Sequence, residues 1–299
     1  MKKTVLGQKK QRGFFADWFY TILWAGSIAI LFRSFLLEPF NIPSGSMIPN
    51  LMVGDHLFVS KWSWGYSRFS FPFGSARLFD GRFLQFASPE SGEIVIFRKP
   101  FGRVEYVKRL VGQPGDAVQM INGYLHINGQ AAELSNPRRY VVANIPNRNK
   151  RTGVRHNDMT IIGNRIYVNG QPADFNYTIE YKTDRVCLRN PIECRILEGV
   201  EFTETLPNGR SYQIIKMQQH GALDNTELLI VPENHFFMIG DNRDYSMDSR
   251  HPSIGFVPRD NMLGPILFIF YSHNYYSPLL FVWDWMNKMR WDRFGYRPN

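Results

Sequence analysis

The sequence predicts a mainly β protein tethered by one N-terminal transmembrane helix. Three observations carry that expectation. A basic N-terminus runs directly into a long apolar segment. The segments that follow are short, rich in β-branched and aromatic residues, and bounded by turn formers. Asn-Gly dipeptides stand where tight hairpins would close. The chain has 299 residues, enough for one large domain or two medium ones, and its 44% hydrophobic and 20% charged content argues against wholesale disorder.

The tether is read first. Lys2, Lys3, Lys9, Lys10 and Arg12 precede an uncharged stretch from Trp18 to Phe32, and apolar character resumes after Arg33 as far as Leu37. With Arg33 snorkelling, the segment reaches the ~20 residues that a helix needs to cross ~30 Å of hydrocarbon. The expected organisation is therefore a cytoplasmic basic N-terminus over 1–16 and an anchor over 17–37, with everything after it outside. A cleavable signal peptide, with Ser44-Gly45-Ser46 as a small-x-small cleavage site, is the rival. Its apolar region would be unusually long, and Ser46 lies far past its end. A buried core helix is a further alternative.

Beyond the anchor the signals are mostly β. "DHLFVSK", "GEIVIF", "RVEYVKRLVG", "YLHINGQ", "RIYVNGQ", "TELLIVPENHFFMIG" and "ILFIFY" read as strands. Asn128-Gly129 and Asn169-Gly170 mark hairpins, and "INGYLHINGQ" resembles "IGNRIYVNGQ", a duplicated or coincidentally similar hairpin. From about Val118 to Thr226 the chain becomes more polar. We expect a core built from 38–117 and 227–275, a β-rich insertion over 118–226, and an amphipathic tail over 276–299. That tail alternates Trp and Phe with Lys and Arg, as a membrane-interfacial segment would; a packed C-terminal helix is the plainer alternative.

A formal charge of +9 raises nucleic acid as a partner, but there is no zinc-finger spacing and no arginine-rich block. Aromatic residues lie next to basic ones mainly in the last twenty residues, beside Trp283, Trp285 and Trp291, which favours an anionic membrane surface and lipid partners. Cys187 and Cys194 are either two buried thiols or, outside the cytoplasm, a small disulfide loop. They are wrongly spaced for a CxxC pair and lack a nearby histidine for zinc.

The chemistry starts from "NIPSGSMIPN", which sets two serines on a proline-bracketed turn just past the anchor. A serine nucleophile needs a base. None of the seven histidines stands in a recognisable catalytic context, and no GXSXG elbow occurs. A neutral lysine can substitute. In "RVEYVKRLVG" a period of two puts Val104, Tyr106, Lys108 and Leu110 on one face, with Arg103, Glu105, Val107, Arg109 and Val111 on the other. Lys108 is flanked by apolar residues on its own face, whereas Arg109 is expected near Glu105. Burial depresses a lysine pKa, by up to ~3–5 units when complete. An edge lysine snorkelling to water is the plainer alternative. The polar turn "GDNRDYSMDSR" after a hydrophobic strand would orient that base. Ser249 and Gly255 occupy the EF-hand glycine and glutamate positions, which rejects a calcium loop.

In order, "PSGSMIPNL", "GDHLFVSK", "GEIVIFRKP", "YVKRLVGQPGD" and "GDNRDYSMDSRHPSIGFVP" resemble the sequence boxes of bacterial type I signal peptidases, membrane-anchored serine proteases with a Ser–Lys dyad. The resemblance implies a β-rich catalytic core of the signal-peptidase type with an inserted second β domain. It implies Ser46 as nucleophile, Lys108 as general base, and an oxyanion hole from Ser44 and the Ser46 amide. Ser246 would hydrogen-bond the lysine, and Asp248 and Arg250 would form the ion pair that holds the loop. Ile42, Pro43, Met47, Leu51, Tyr106 and Val107 would line shallow substrate pockets, and Cys187 and Cys194 resemble a disulfide of some members. The implied substrates are secretory preproteins cut after small-x-small at the outer face of the bacterial plasma membrane. No cofactor or metal is implied, and the protein translocation machinery is a further candidate partner. Asn50 and Ser91 depart from the usual threonine and arginine, at positions not expected to touch the reacting atoms. A self-cleaving Ser–Lys repressor would need a helix-turn-helix instead of the anchor. A non-catalytic, membrane-tethered periplasmic β module would have no reason to keep these serines and this lysine.

Overall fold

The computed structural model describes residues 14–70, 81–85, 87–100, 102, 104–146, 159–162, 165–168, 171–172, 180–184, 194–217, 221–273 and 289–298. Cys187, Asn169-Gly170, Trp283 and Trp285 lie outside them, and with Cys187 the expected disulfide.

The N-terminal helix runs Phe14–Phe35, and Asp17–Phe35 is long and apolar enough to cross a membrane. Its Trp18, Ile22, Trp24, Ile28 and Leu31 side chains are exposed and find no core to pack in among the described residues, so the buried-helix alternative does not hold. The helix end is fastened at once. Tyr66 donates its hydroxyl to the Phe35 carbonyl at 2.8 Å, and the Lys61 amide donates to the Leu36 carbonyl at 3.1 Å. These bonds satisfy carbonyls that a helix terminus leaves open. The chain then enters the strand Leu37–Asn41 with no loop between.

That strand is the edge of a seven-stranded antiparallel sheet. The order is Leu37–Asn41, Asp55–Ser60, Met262–Ser272, Ile94–Arg98, Glu105–Gly112, His235–Ile239 and Val257–Pro258. Six of the seven lie within 38–117 and 227–275, and the first begins at Leu37, inside the range expected for the anchor, because the helix already ends at Phe35. "IVIF" reads as a continuous apolar run because its strand is covered on both faces. Ile94 and Ile96 enter one apolar cluster with Ile42, Met47, Leu51 and Leu57, while Val95 and Phe97 enter another with Trp64, Leu110 and Met238.

The segment expected as an insertion begins as a meander. Asn128 and Gly129 take φ of 53° and 79° between the paired residues Ile127 and Gln130, the left-handed pair that a two-residue hairpin requires. Asn122 and Gly123 do the same between Ile121 and Tyr124. "INGYLHINGQ" thus sits within the meander Ala117–Ile121, Tyr124–Ile127, Gln130–Ala131. Its look-alike forms Met159–Ile162, Arg165–Val168, Gln171–Pro172 in the same pattern. A longer sheet orders Glu180–Asp184, Glu133–Pro146, Cys194–Thr205 and Ser211–Lys216. Residues 118–226 do not keep their apolar side chains to themselves: Val118, Met120, Leu125, Phe202 and Ile214 share one cluster with Val111, Phe237 and Ile239 of the seven-stranded sheet.

Of the tail, residues 289–298 are docked rather than free. A 3-10 turn at Trp291–Arg293 sits beside the sheet, with the Ile269 amide donating to Tyr296 at 2.9 Å and the Gly295 amide to Ile269 at 2.8 Å. Arg290 donates to the Val53 carbonyl at 2.6 Å, and Arg293 reaches Asp55 at 2.6 Å. Trp291 and Phe294 stay exposed.

Gly264 tests the closeness of this sheet. A Cβ there would stand 1.9 Å from the Ser60 carbonyl oxygen, a backbone atom that cannot rotate away. Gly264→Ala is expected to cost at least about 1–3 kcal/mol, read from the urea unfolding midpoint of the detergent-solubilised protein.

Candidate active site

The turn that carries Ser46 follows the first strand. Ser44 is exposed, whereas Gly45, Ser46, Met47 and Ile48 are buried. Its backbone is pinned from the polar loop: the Asn242 amide donates to the Ser46 carbonyl at 3.1 Å, and Asn242 Nδ2 donates to the Gly45 carbonyl at 3.1 Å. These bonds leave the Ser46 amide without a partner among the described residues.

Lys108 arrives from the middle of the sheet, where it faces Val95 across the ladder. Its Nζ donates to Ser46 Oγ at 2.6 Å and to the Val107 carbonyl at 2.9 Å, and lies 5.8 Å from the Tyr106 ring centroid. The side chain is fully buried, so the snorkelling alternative does not apply. Burial pulls its pKa down to about 8; Asp248 and Asp241 work in the opposite direction, and Arg250 adds to the lowering. At that value a substantial fraction of the amine is neutral near pH 7–8. When it is, one N–H can stay on Val107 and the lone pair can face the serine hydroxyl.

The surroundings both match and correct the sequence expectations. Ser44 Oγ lies 3.5 Å from Ser46 Oγ. Asp248 and Arg250 form the expected buried pair, through Nε to Oδ1 and Nη2 to Oδ2, both at 2.8 Å. Burial alone would raise the Asp248 pKa, but Arg250 and the Gly240 amide hold it below the usual carboxylate value. Ile42, Met47 and Leu51 are gathered into one apolar cluster with Val107 against it. Pro43 is exposed beside them, and Tyr106 packs on the neighbouring cluster. Ser246 is a correction: its buried hydroxyl makes no hydrogen bond to Lys108, whose bonds go to Ser46 and Val107. Ser246 instead packs over Gly240, where a Cβ would come within 2.0 Å of its Oγ.

Arg109 is a second correction. It does not join Glu105, which pairs with Arg98 at 3.1 Å. Arg109 is buried and clamps Asp241 through Nε–Oδ1 and Nη2–Oδ2, both at 2.8 Å, with its guanidinium 3.8 Å from the Tyr212 ring centroid. The strand therefore buries two adjacent basic side chains, one paired with a carboxylate and one, beside the serine, with no ion-pair partner among the described residues. Asn50, set aside in the sequence, donates from Nδ2 to Asp241 Oδ2 and to the Gln213 carbonyl, both at 2.7 Å. Asn242, Asp241 and Asn50 were missed because each acts on a residue far away along the chain. The only local signal was the polar density of "GDNRD".

Comparison with known proteins identifies the family. The family model for signal peptidase, peptidase S26, matches residues 15–161 and 153–271. The chain belongs to this family. Signal peptidase I of Rickettsia conorii is 34% identical over 253 residues, covering 82% of this chain and 75% of the relative. That of Rickettsia typhi is 34% identical over 82% and 76%, and that of Rickettsia akari 32% over 82% and 75%. A solved signal peptidase I from Enterococcus faecalis V583 shares 21% identity, covers 60% of this chain and 98% of its own, and has a TM-score of 0.28. As a member of the signal peptidase family, the protein is a serine peptidase, a hydrolase.

The buried lysine makes stability depend on pH in a defined direction. Unfolded, Lys108 keeps its proton to about its ordinary 10.5; folded, only to about 8. Between those values the unfolded chain binds more protons, so stability rises with pH, and below about 8 the penalty is complete. Lys108→Met removes it. The stability advantage of Lys108→Met is expected to be roughly 3 kcal/mol below pH 8, less the two lost hydrogen bonds, and to shrink as pH climbs to 10.5. Chemical unfolding at pH 7 and pH 10.5 reads it; a difference that does not change with pH contradicts the depressed pKa.

Proposed function

We propose that the protein removes signal peptides from secretory preproteins, with Ser46 as nucleophile and Lys108 as its general base. The observation that carries the assignment is the 2.6 Å contact between Lys108 Nζ and Ser46 Oγ in a fully buried setting. The neutral amine takes the serine proton as Oγ attacks the scissile carbonyl, and the lysine later returns it to the leaving amine. The oxyanion is met by the unpartnered Ser46 amide and the nearby Ser44 hydroxyl, at roughly 3–4 kcal/mol per donor. The substrate adds in extended form, with small side chains entering shallow pockets over Ile42, Pro43, Met47, Leu51, Tyr106 and Val107.

The basic residues before the helix favour a cytoplasmic N-terminus, which sets the catalytic part on the outer side of the bacterial plasma membrane. There the enzyme and the end of a signal peptide share one interface. That shared plane supplies part of the positioning. Membrane lipids are then permanent neighbours, and the translocation machinery is the nearest protein partner.

Ser46→Ala and Lys108→Ala are each expected to abolish cleavage of a labelled preprotein by the purified protein, while fractionation still finds the chain in the membrane. Retained turnover by Lys108→Ala overturns the dyad. The cleavage rate of the unaltered protein is expected to climb with pH through about 8, as the amine loses its proton; a profile flat down to about pH 4 points to another base.

A further inference from the structure

The strand Ser211–Lys216 belongs to the inserted sheet, yet it touches each segment that holds the dyad. The Tyr212 ring lies 3.8 Å from the Arg109 guanidinium, one residue from Lys108. The Gln213 carbonyl accepts from Asn50 Nδ2 at 2.7 Å, at the end of the nucleophile turn. Ile215 pairs with the polar loop on both sides of Asn242. Its amide donates to the Asp241 carbonyl and its carbonyl accepts from the Arg243 amide, both at 2.9 Å. Asn242 in turn holds the Gly45 and Ser46 carbonyls. Asn50 closes the circuit, because the same Nδ2 also reaches the Asp241 carboxylate that clamps Arg109. Ile48 and Met52 of the turn pack with Ile215 and Tyr140 of the inserted sheet. Asn50, Arg109, Tyr212 and Asp241 are all buried.

We propose that Ser211–Lys216 is the element that sets the geometry of the dyad, and that Asn50 is the positioning residue through which the inserted sheet fixes the nucleophile turn. The proposal rests on the reading of Ser46 and Lys108 given above. The physical need is plain. The dyad joins two side chains 62 residues apart, and productive geometry tolerates only ~0.5 Å of drift. One carboxamide nitrogen with two protons bonds in two directions and so fixes the end of the turn against both the polar loop and the inserted strand. A threonine at this position carries one hydroxyl proton and can hold only one of the two.

The test uses the full-length protein in detergent with a preprotein peptide. Asn50→Ala is expected to lower kcat about ten- to a hundredfold, with KM within about twofold. The midpoint of the acid limb should move upward, because a loosened turn admits water to Lys108. Asn50→Thr should fall between Asn50→Ala and the unaltered protein in both readings. If Asn50→Ala lowers the unfolding midpoint while kcat and the acid limb stay unchanged well below that temperature, the strand merely packs and the proposal fails. Should Asn50→Ala not fold, Asn50→Thr decides, and an unchanged kcat and acid limb overturn the proposal. Ser46→Ala in the same assay keeps the two claims apart. Cleavage by Ser46→Ala defeats the dyad itself, whereas an inactive Ser46→Ala beside a fully active Asn50→Ala defeats only the role of Asn50.

Discussion

A buried amine with no carboxylate of its own among the described residues is the constraint on which the site depends. Lys108 is as deeply buried as Arg109, but Arg109 has Asp241 whereas Lys108, among the described residues, has a hydroxyl and a carbonyl. Desolvating an ammonium in this way is unfavourable, and the cost falls as the amine becomes neutral. The fold bears that cost through the apolar clusters on both sides of the central strands and the tight antiparallel ladder that carries the lysine. The acidic groups closest in influence, Asp241 and Asp248, are each occupied by an arginine, so neither is free to neutralise Lys108 directly.

The two arginine–aspartate pairs then do different things. Asp248–Arg250 folds the polar loop upon itself, and Arg250 also holds the Arg243 carbonyl. Asp241–Arg109 ties that loop to the central strand and, through Asn50, to the turn that carries Ser46. Buried pairs of this kind contribute little net stability against apolar replacements, but breaking one side is costly. Their value here is geometric, since they decide where three separate segments meet.

Much of this was legible in the sequence. The N-terminal apolar helix, the core strands and the Asn-Gly hairpin at 128–129 follow from local signals of hydropathy, period-two alternation and turn chemistry, whereas the pairing of Ser46 with Lys108 came only from the resemblance of the ordered boxes. What failed were statements about who bonds to whom. Glu105 and Arg109 share a face on paper, yet Arg98 is closer to one and Asp241 to the other. Ser246 was expected on the lysine but is pressed over Gly240. Asn50 looked neutral because its two acceptors come from residues 213 and 241. Polar pairing across such separations leaves no periodicity to read, whereas apolar burial does.

The strand Leu37–Asn41 begins where the helix stops and is hydrogen-bonded along its whole length to Asp55–Ser60. A helix that feeds straight into a paired strand behaves as a stiff stalk, and five strand residues span only about 17 Å. In the membrane-anchored reading, the reactive serine cannot wander on a leash. It rides at a set altitude above the lipid, so that peptides presenting their bond too deep or too high would go uncut however well their side chains fit.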